Sequence, residues 1–147
     1  MKRRLLIADA QTIVREALHA LLAAVPGLEV VGAAETSAEA VRRAEALQPD
    51  AVLLDTSMDS RNLDALQALR RVAPRSRLLV LTAEAGEDEV WAALQAGADG
   101  YVLKESSRQE LLTAIETVLR GERFITPAVS AQIVGRYLQG RSAPPPA

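Results

Sequence analysis

Five short apolar runs, each leading into a longer helical pattern, constrain this chain more than any other feature. They are "RLLIAD" ending at Asp9, "LEVVGA" from Leu28, "AVLLD" ending at Asp55, "RLLVLT" ending at Thr82 and "GYVLK" ending at Lys104. Several are continuously apolar where a half-exposed strand would alternate, as expected for parallel strands covered on both faces. After the first run, Ile13, Val14, Ala17, Leu18, Leu21 and Leu22 fall on one helical stripe. After the fifth, Leu111, Leu112, Ile115, Val118 and Leu119 do the same, and this spacing predicts amphipathic helices. Strand and helix in alternation point to a parallel α/β sheet.

Local signals agree with those boundaries. "TSAE" (Thr36 to Glu39) and "SRQE" (Ser107 to Glu110) carry capping-box spacing, in which a hydroxyl and a carboxylate satisfy the open first turn of a helix. Gly97 and Gly121 follow helical stretches, where a left-handed stop suits glycine. Beyond Gly121, Thr126 offers a cap and Pro127 a first helical residue, with Val129, Ile133 and Tyr137 spaced for a helix that Gly135 and Gly140 weaken. "RSAPPPA" then reads as an extended linker or tail.

The 147 residues suffice to bury a real core. Seventeen Lys and Arg against nineteen Asp and Glu leave a net charge of −2, and only 3% of residues are aromatic. That balance argues against the chain itself gripping nucleic acid or an anionic membrane surface. No segment approaches the ~20 apolar residues of a membrane helix. "MKRR" resembles the start of a signal peptide, but Asp9 interrupts any apolar region after it. With no cysteine there is neither a disulfide framework nor a thiolate metal site, which fits a cytoplasmic setting.

Ligands of open parallel sheets bind beyond the carboxyl ends of the strands, where strand order reverses. Four such ends here carry a polar residue: Asp9, Asp55, Thr82 and Lys104. A carboxylate can accept a phosphoryl group, an ammonium can hold a transferred phosphoryl oxygen, and a hydroxyl can follow it into place. A second carboxylate helps hold Mg²⁺, which neutralises charge as the phosphoryl moves. Each residue also has an ordinary use. Asp9 can cap the helix beginning near Gln11, Asp55 can open a strand-end turn, Tyr101 can be a core ring and Lys104 a solvated strand-end lysine. His19 reads as a surface residue, Trp91 as packing or a partner contact, and Arg42, Arg43, Arg70 and Arg71 as solvated helix faces.

At these residues the chain resembles the receiver domain of two-component response regulators, from "LLIAD" through "VLLDTSM" and "LLVLTAE" to "GADGYVLKES". "VVGAAE", "GADGYVLK" and "GERFITPAV" are most similar to the class with a LuxR/NarL-type helix-turn-helix output. The resemblance implies a flavodoxin-like (βα)5 fold, a doubly wound five-stranded parallel sheet in the order 2-1-3-4-5, here with an extra C-terminal helix. It divides the chain into a receiver over 1–121, a helical extension over 122–140 and a proline-rich linker or tail over 141–147. Asp55 then matches the phosphorylated aspartate, Asp9 the first residue of an acidic pair, Thr82 the switch hydroxyl, Tyr101 its coupled aromatic and Lys104 the phosphate-binding lysine. Asp9, Asp55 and the backbone carbonyl of Ser57 would ligate Mg²⁺. A histidine kinase is the implied phosphodonor and a homodimer is a possible assembly. The face built from the fourth helix, fifth strand and fifth helix would change its partners. DNA would be met only through an output domain outside these residues, and neither an enzyme activity nor a membrane partner is implied.

Two departures stand out. Ala10 replaces the family's second acid, and "MDSRNLD" lacks the proline and glycine that usually follow the phosphorylated aspartate. Loss of one anionic ligand predicts weakened Mg²⁺ binding, and either slow phosphorylation or switching independent of phosphate. The alternative is therefore a degenerate receiver, acting as a phosphorylation-independent dimerisation or protein-binding module. A flavin carrier would need a hydroxyl- or glycine-rich first loop, where "DAQTIV" supplies only Thr12. An aspartate-nucleophile phosphatase would need an acid where Ser57 stands.

Overall fold

The structure is a computed structural model and describes residues 2–55, 62–83, 87–127, 130–131, 134–135 and 138. Six strands are formed: β1 (Arg3–Ala8), β2 (Leu28–Ala34), β3 (Ala51–Asp55), β4 (Arg77–Thr82), β5 (Gly100–Leu103) and β6 (Phe124–Ile125). Five helices separate the first five strands and follow the last of them: α1 (Thr12–Ala23), α2 (Ser37–Leu47), α3 (Asn62–Val72), α4 (Glu87–Gln95) and α5 (Arg108–Leu119). All strand pairs are parallel and the order is 2-1-3-4-5-6. The expected doubly wound sheet is therefore present, with the topological reversal between β1 and β3.

The continuously apolar strands are explained by burial on both sides of the sheet. Because side chains alternate across a strand, Leu6, Ala8, Val52, Leu54, Leu78, Val80 and Tyr101 join one core with α2, α3 and α4. Leu5, Ile7, Ala51, Leu53, Leu79, Leu81 and Val102 join the other with α1 and α5. The α5 stripe is as the spacing predicts, with Leu111, Ile115 and Val118 buried.

The α1 stripe is only half right. Leu22 is buried and Leu18 and Leu21 are partly covered, but Ala17 is exposed and Ile13 is 78% exposed. The residue of α1 that is fully buried, Leu22, lies in its last turn, and Ile13 lies in its first. Periodicity identifies a face but not how far along the helix burial extends.

The hydroxyl half of both predicted capping boxes forms. Thr36 Oγ1 accepts from Glu39 N at 3.1 Å, and Ser107 Oγ accepts from Glu110 N at 3.0 Å. Glu39 reaches back to accept from Glu35 N at 2.8 Å, which holds its carboxyl below the usual range. Gly97 and Gly121 adopt left-handed φ values of 114° and 87° after α4 and α5. Gln48 does the same without being glycine (φ 46°), and its Nε2 donates to the carbonyls of Ala44, Glu45 and Val72.

β6 is the one strand the sequence pattern does not announce. It pairs Phe124 with Gly100 and Ile125 with Tyr101. Thr126 N then donates to Tyr101 O at 3.0 Å. The described residues from Pro127 to Leu138 are helical, with Val134 and Leu138 exposed. Val129, Ile133, Tyr137 and the 141–147 segment lie outside the described residues.

Arg70 is not the solvated residue its position suggests. Its guanidinium donates to Ser76 O at 2.9 Å, to Gly97 O and to Asp99 Oδ2 at 2.9 Å. The same Asp99 oxygen accepts from Leu78 N at 2.8 Å. This clamp joins the end of α3 to the turns that enter β4 and β5, and so fixes the strands that carry Thr82 and Lys104.

Candidate functional site

The four strand-end residues do lie at one end of the sheet. Asp55 closes β3 and Thr82 closes β4, while Asp9 and Lys104 each stand one position beyond their strands. Asp9 and Asp55 therefore flank the topological reversal, and both are 1% exposed. Lys104 is placed by its own backbone, whose N–H donates to Thr82 O at 2.7 Å. From there Nζ reaches Asp9 Oδ2 at 3.0 Å and Asp55 Oδ2 at 3.2 Å. Two carboxylates in a nearly dry pocket are costly unless a cation joins them; Lys104 is that cation.

Asp9 divides its work. Oδ1 accepts from Gln11 N at 2.8 Å, closing the turn into α1. The expected cap by Asp9 is not formed: the N-cap of α1 is Gln11, and the Asp9 carboxylate instead closes the two-residue turn before it. Oδ2 is buried and has no hydrogen bond of good geometry, only the ionic approach of Lys104. Two residues absent from the sequence-based site complete the loop. Gln11 Oε1 accepts from Lys104 Nζ at 3.1 Å, and Arg15 Nη1 donates to Asp9 O at 2.7 Å. A polar side chain two positions after a strand-end acid is the only trace Gln11 leaves in sequence.

Thr82 and Tyr101 are coupled. Val80 pairs with Tyr101 and Thr82 with Leu103 in the β4–β5 register, so Thr82 and Tyr101 point to the same side of the sheet. Their hydroxyls are hydrogen-bonded, and burial pushes the Tyr101 phenol up to about 12. Tyr101 is 1% exposed and packs in the core. The ring is thus a core residue whose polar tip reads the end of β4.

Among the described residues no three His, Cys, Asp or Glu side chains converge as a metal site. Two carboxylates do converge, and hard oxygens from one or two carboxylates, completed by water and phosphate, are what Mg²⁺ accepts. The unbonded, buried Asp9 Oδ2 is an acceptor that such an ion would satisfy. The residues fit the ion with one anionic ligand fewer than the acidic pair would give. Ala10 supplies no side-chain ligand, and Ser57 and residues 58–61 lie outside the described residues.

With this geometry in place, comparison with known proteins is informative. Residues 5–116 match the model of the response regulator receiver domain. The chain belongs to that family. It is 34% identical over 137 residues to the response regulator GacA of Pseudomonas viridiflava, covering 92% of this chain and 64% of that protein. It is also 34% identical over 143 residues to the nitrate/nitrite response regulator protein NarP of Escherichia coli K12, covering 97% of this chain and 66% of the relative. Among solved structures, a LuxR-family two-component response regulator from Aurantimonas sp. SI85-9A1 superposes with a TM-score of 0.89 at 32% identity, covering 94% of this chain and 99% of that one. Within the family, then, the chain is of the LuxR/NarL type, and it spans about two thirds of the length of the curated relatives it matches.

Proposed function

We propose that this receiver accepts a phosphoryl group on Asp55 from the phosphohistidine of a histidine kinase and relays its arrival to a transcriptional output. The observation carrying this reading is the buried Asp9–Lys104–Asp55 arrangement, with ammonium to carboxylate distances of 3.0 and 3.2 Å. An Asp55 carboxylate oxygen would attack phosphorus, forming a P–O bond as the P–N bond breaks and the imidazole leaves. Mg²⁺, when bound by Asp9, Asp55 and the Ser57 carbonyl, would supply the charge that offsets the three phosphoryl oxygens. Lys104 would exchange a carboxylate oxygen for a phosphoryl oxygen. Thr82, at the end of the neighbouring strand, would turn its hydroxyl towards the new group. Tyr101 would then lose its present partner and repack, altering the surface formed by α4, β5 and α5.

That surface is a reasonable place for a homodimer, and a pair of output domains would suit a two-fold symmetric DNA site. Residues 1–121 would act as the receiver, 122–140 as its helical extension and 141–147 as the link. No helix among the described residues is long and apolar enough to cross a membrane, and a cytoplasmic setting is part of the proposal.

The second reading, a receiver working without phosphate, is motivated by Ala10, which supplies no second carboxylate beside Asp9. Beryllofluoride with Mg²⁺, a phosphoryl mimic, separates the two. The first reading expects altered Trp91 fluorescence and altered sedimentation, both abolished by Asp55→Asn. Equal sedimentation and partner binding for wild type and Asp55→Asn, with or without the mimic, would select the second.

A further inference from the structure

The environment of the Lys104 ammonium is more complete than a pair of carboxylates requires. Three oxygens from three residues surround Nζ: Asp9 Oδ2 at 3.0 Å, Gln11 Oε1 at 3.1 Å and Asp55 Oδ2 at 3.2 Å. The two carboxylates approach as ion-pair partners, and Gln11 Oε1 accepts a hydrogen bond from one of the three N–H donors of the ammonium. Gln11 occupies the N-cap position of α1, yet its side chain makes no capping bond. Its backbone N–H donates to Asp9 Oδ1 and its carbonyl accepts the first intrahelical bond, from Arg15 N at 2.9 Å. The amide is therefore free of any helix-capping duty and is directed to the lysine instead.

We propose that Gln11 is a positioning residue that seats Lys104 as the resident cation between Asp9 and Asp55, and so sets how readily a divalent ion can enter. The inference rests on reading this pocket as the cation and phosphoryl site. A divalent ion held by Asp9 and Asp55 would compete with the ammonium for the same two carboxylates. Entry requires Lys104 to withdraw, and withdrawal breaks the bond to Gln11 as well. Gln11 thus acts against the metal without touching it. It would also slow the handover of Lys104 from carboxylate to phosphoryl oxygen.

The test is the affinity for Mn²⁺, followed by the electron paramagnetic resonance of the free ion, in a double-mutant cycle with Lys104→Met. Gln11→Met keeps the side-chain length and removes the acceptor. Loss of one hydrogen bond to a charged group is expected to raise Mn²⁺ affinity roughly tenfold when Lys104 is present, the lower end for such a bond. In the Lys104→Met background the same change should leave affinity unaltered. Unchanged affinity with Lys104 present, an equal rise in both backgrounds, or no saturable binding by the Gln11→Met chain would each overturn the proposal. Asp55 phosphorylation of the Gln11→Met chain by a small phosphodonor, read by mass, separates the two levels of inference. An adduct with unaltered Mn²⁺ affinity removes only the role of Gln11. Raised affinity without an adduct removes the phosphoacceptor reading and leaves Gln11 as the gatekeeper of a cation site.

Discussion

Replacing Lys104 by methionine isolates the electrostatic part of the account. The substitution keeps the aliphatic stem and removes the ammonium from between two carboxylates that are each 1% exposed. Removing one partner of a buried ion pair costs about 3–5 kcal/mol, because the remaining charge is left desolvated. Lys104 itself is 18% exposed at the side chain, so water can enter after it is gone, and the lower end, about 3 kcal/mol, is expected. For a chain of this size that corresponds to a fall in Tm of roughly 10 °C. Urea unfolding without divalent ions would measure it as a lower midpoint at unchanged slope. Two companions sharpen the assay. Adding Asp9→Asn to Lys104→Met should recover part of the loss, since one buried charge disappears. Adding Mg²⁺ should stabilise Lys104→Met more than wild type, because binding to the native state stabilises by mass action. A loss under about 0.5 kcal/mol, the scatter of an ordinary surface substitution, would refute the view that Lys104 neutralises this pocket.

Other outcomes follow from particular contacts. Gly100→Ala would place a Cβ 2.5 Å from Leu79 Cδ1 and 3.0 Å from Val118 Cγ1; a loss of about 1–3 kcal/mol is expected from overpacking, measured by urea unfolding. Arg70→Met should cost about 1–3 kcal/mol by leaving acceptors at Gly97 and Asp99 short of a donor, with faster amide exchange in β4 and β5. The Tyr101 phenol, raised to about 12 by burial, holds its proton more tightly folded than unfolded. Its contribution to stability is therefore full below pH ~10 and is lost as pH rises through about 12, and Tyr101→Phe should remove that high-pH step from the unfolding profile. Ala10→Asp should tighten Mg²⁺ binding, read by calorimetry, and speed Asp55 adduct formation.

Much of this molecule is legible from sequence because the information is local and repetitive. Uninterrupted apolar runs such as Ala51 to Leu54 mark strands covered on both faces, and Thr36 with Glu39 marks a helix start to the residue. The site was legible for the same reason: a strand-end position is a place in the sheet, so Asp9, Asp55, Thr82 and Lys104 had to come near one another. What was missed depends on partners distant in sequence. β6 is two residues whose strand character comes from pairing with β5, and Arg70 looks solvated until Asp99, 29 positions away, is brought to it. Ile13 is apolar on an apolar stripe, yet it is exposed. Gln11 carries no motif at all; only the position of an ammonium arriving from β5 gives its amide a purpose.

The most direct test of the central claim is the intact mass of the chain after incubation with a small phosphodonor and Mg²⁺, wild type beside Asp55→Asn. The account predicts one phosphoryl adduct on wild type and none on the variant, formed faster once Ala10→Asp restores the missing acid. No adduct on wild type at high Mg²⁺, or an adduct that survives Asp55→Asn, would contradict it.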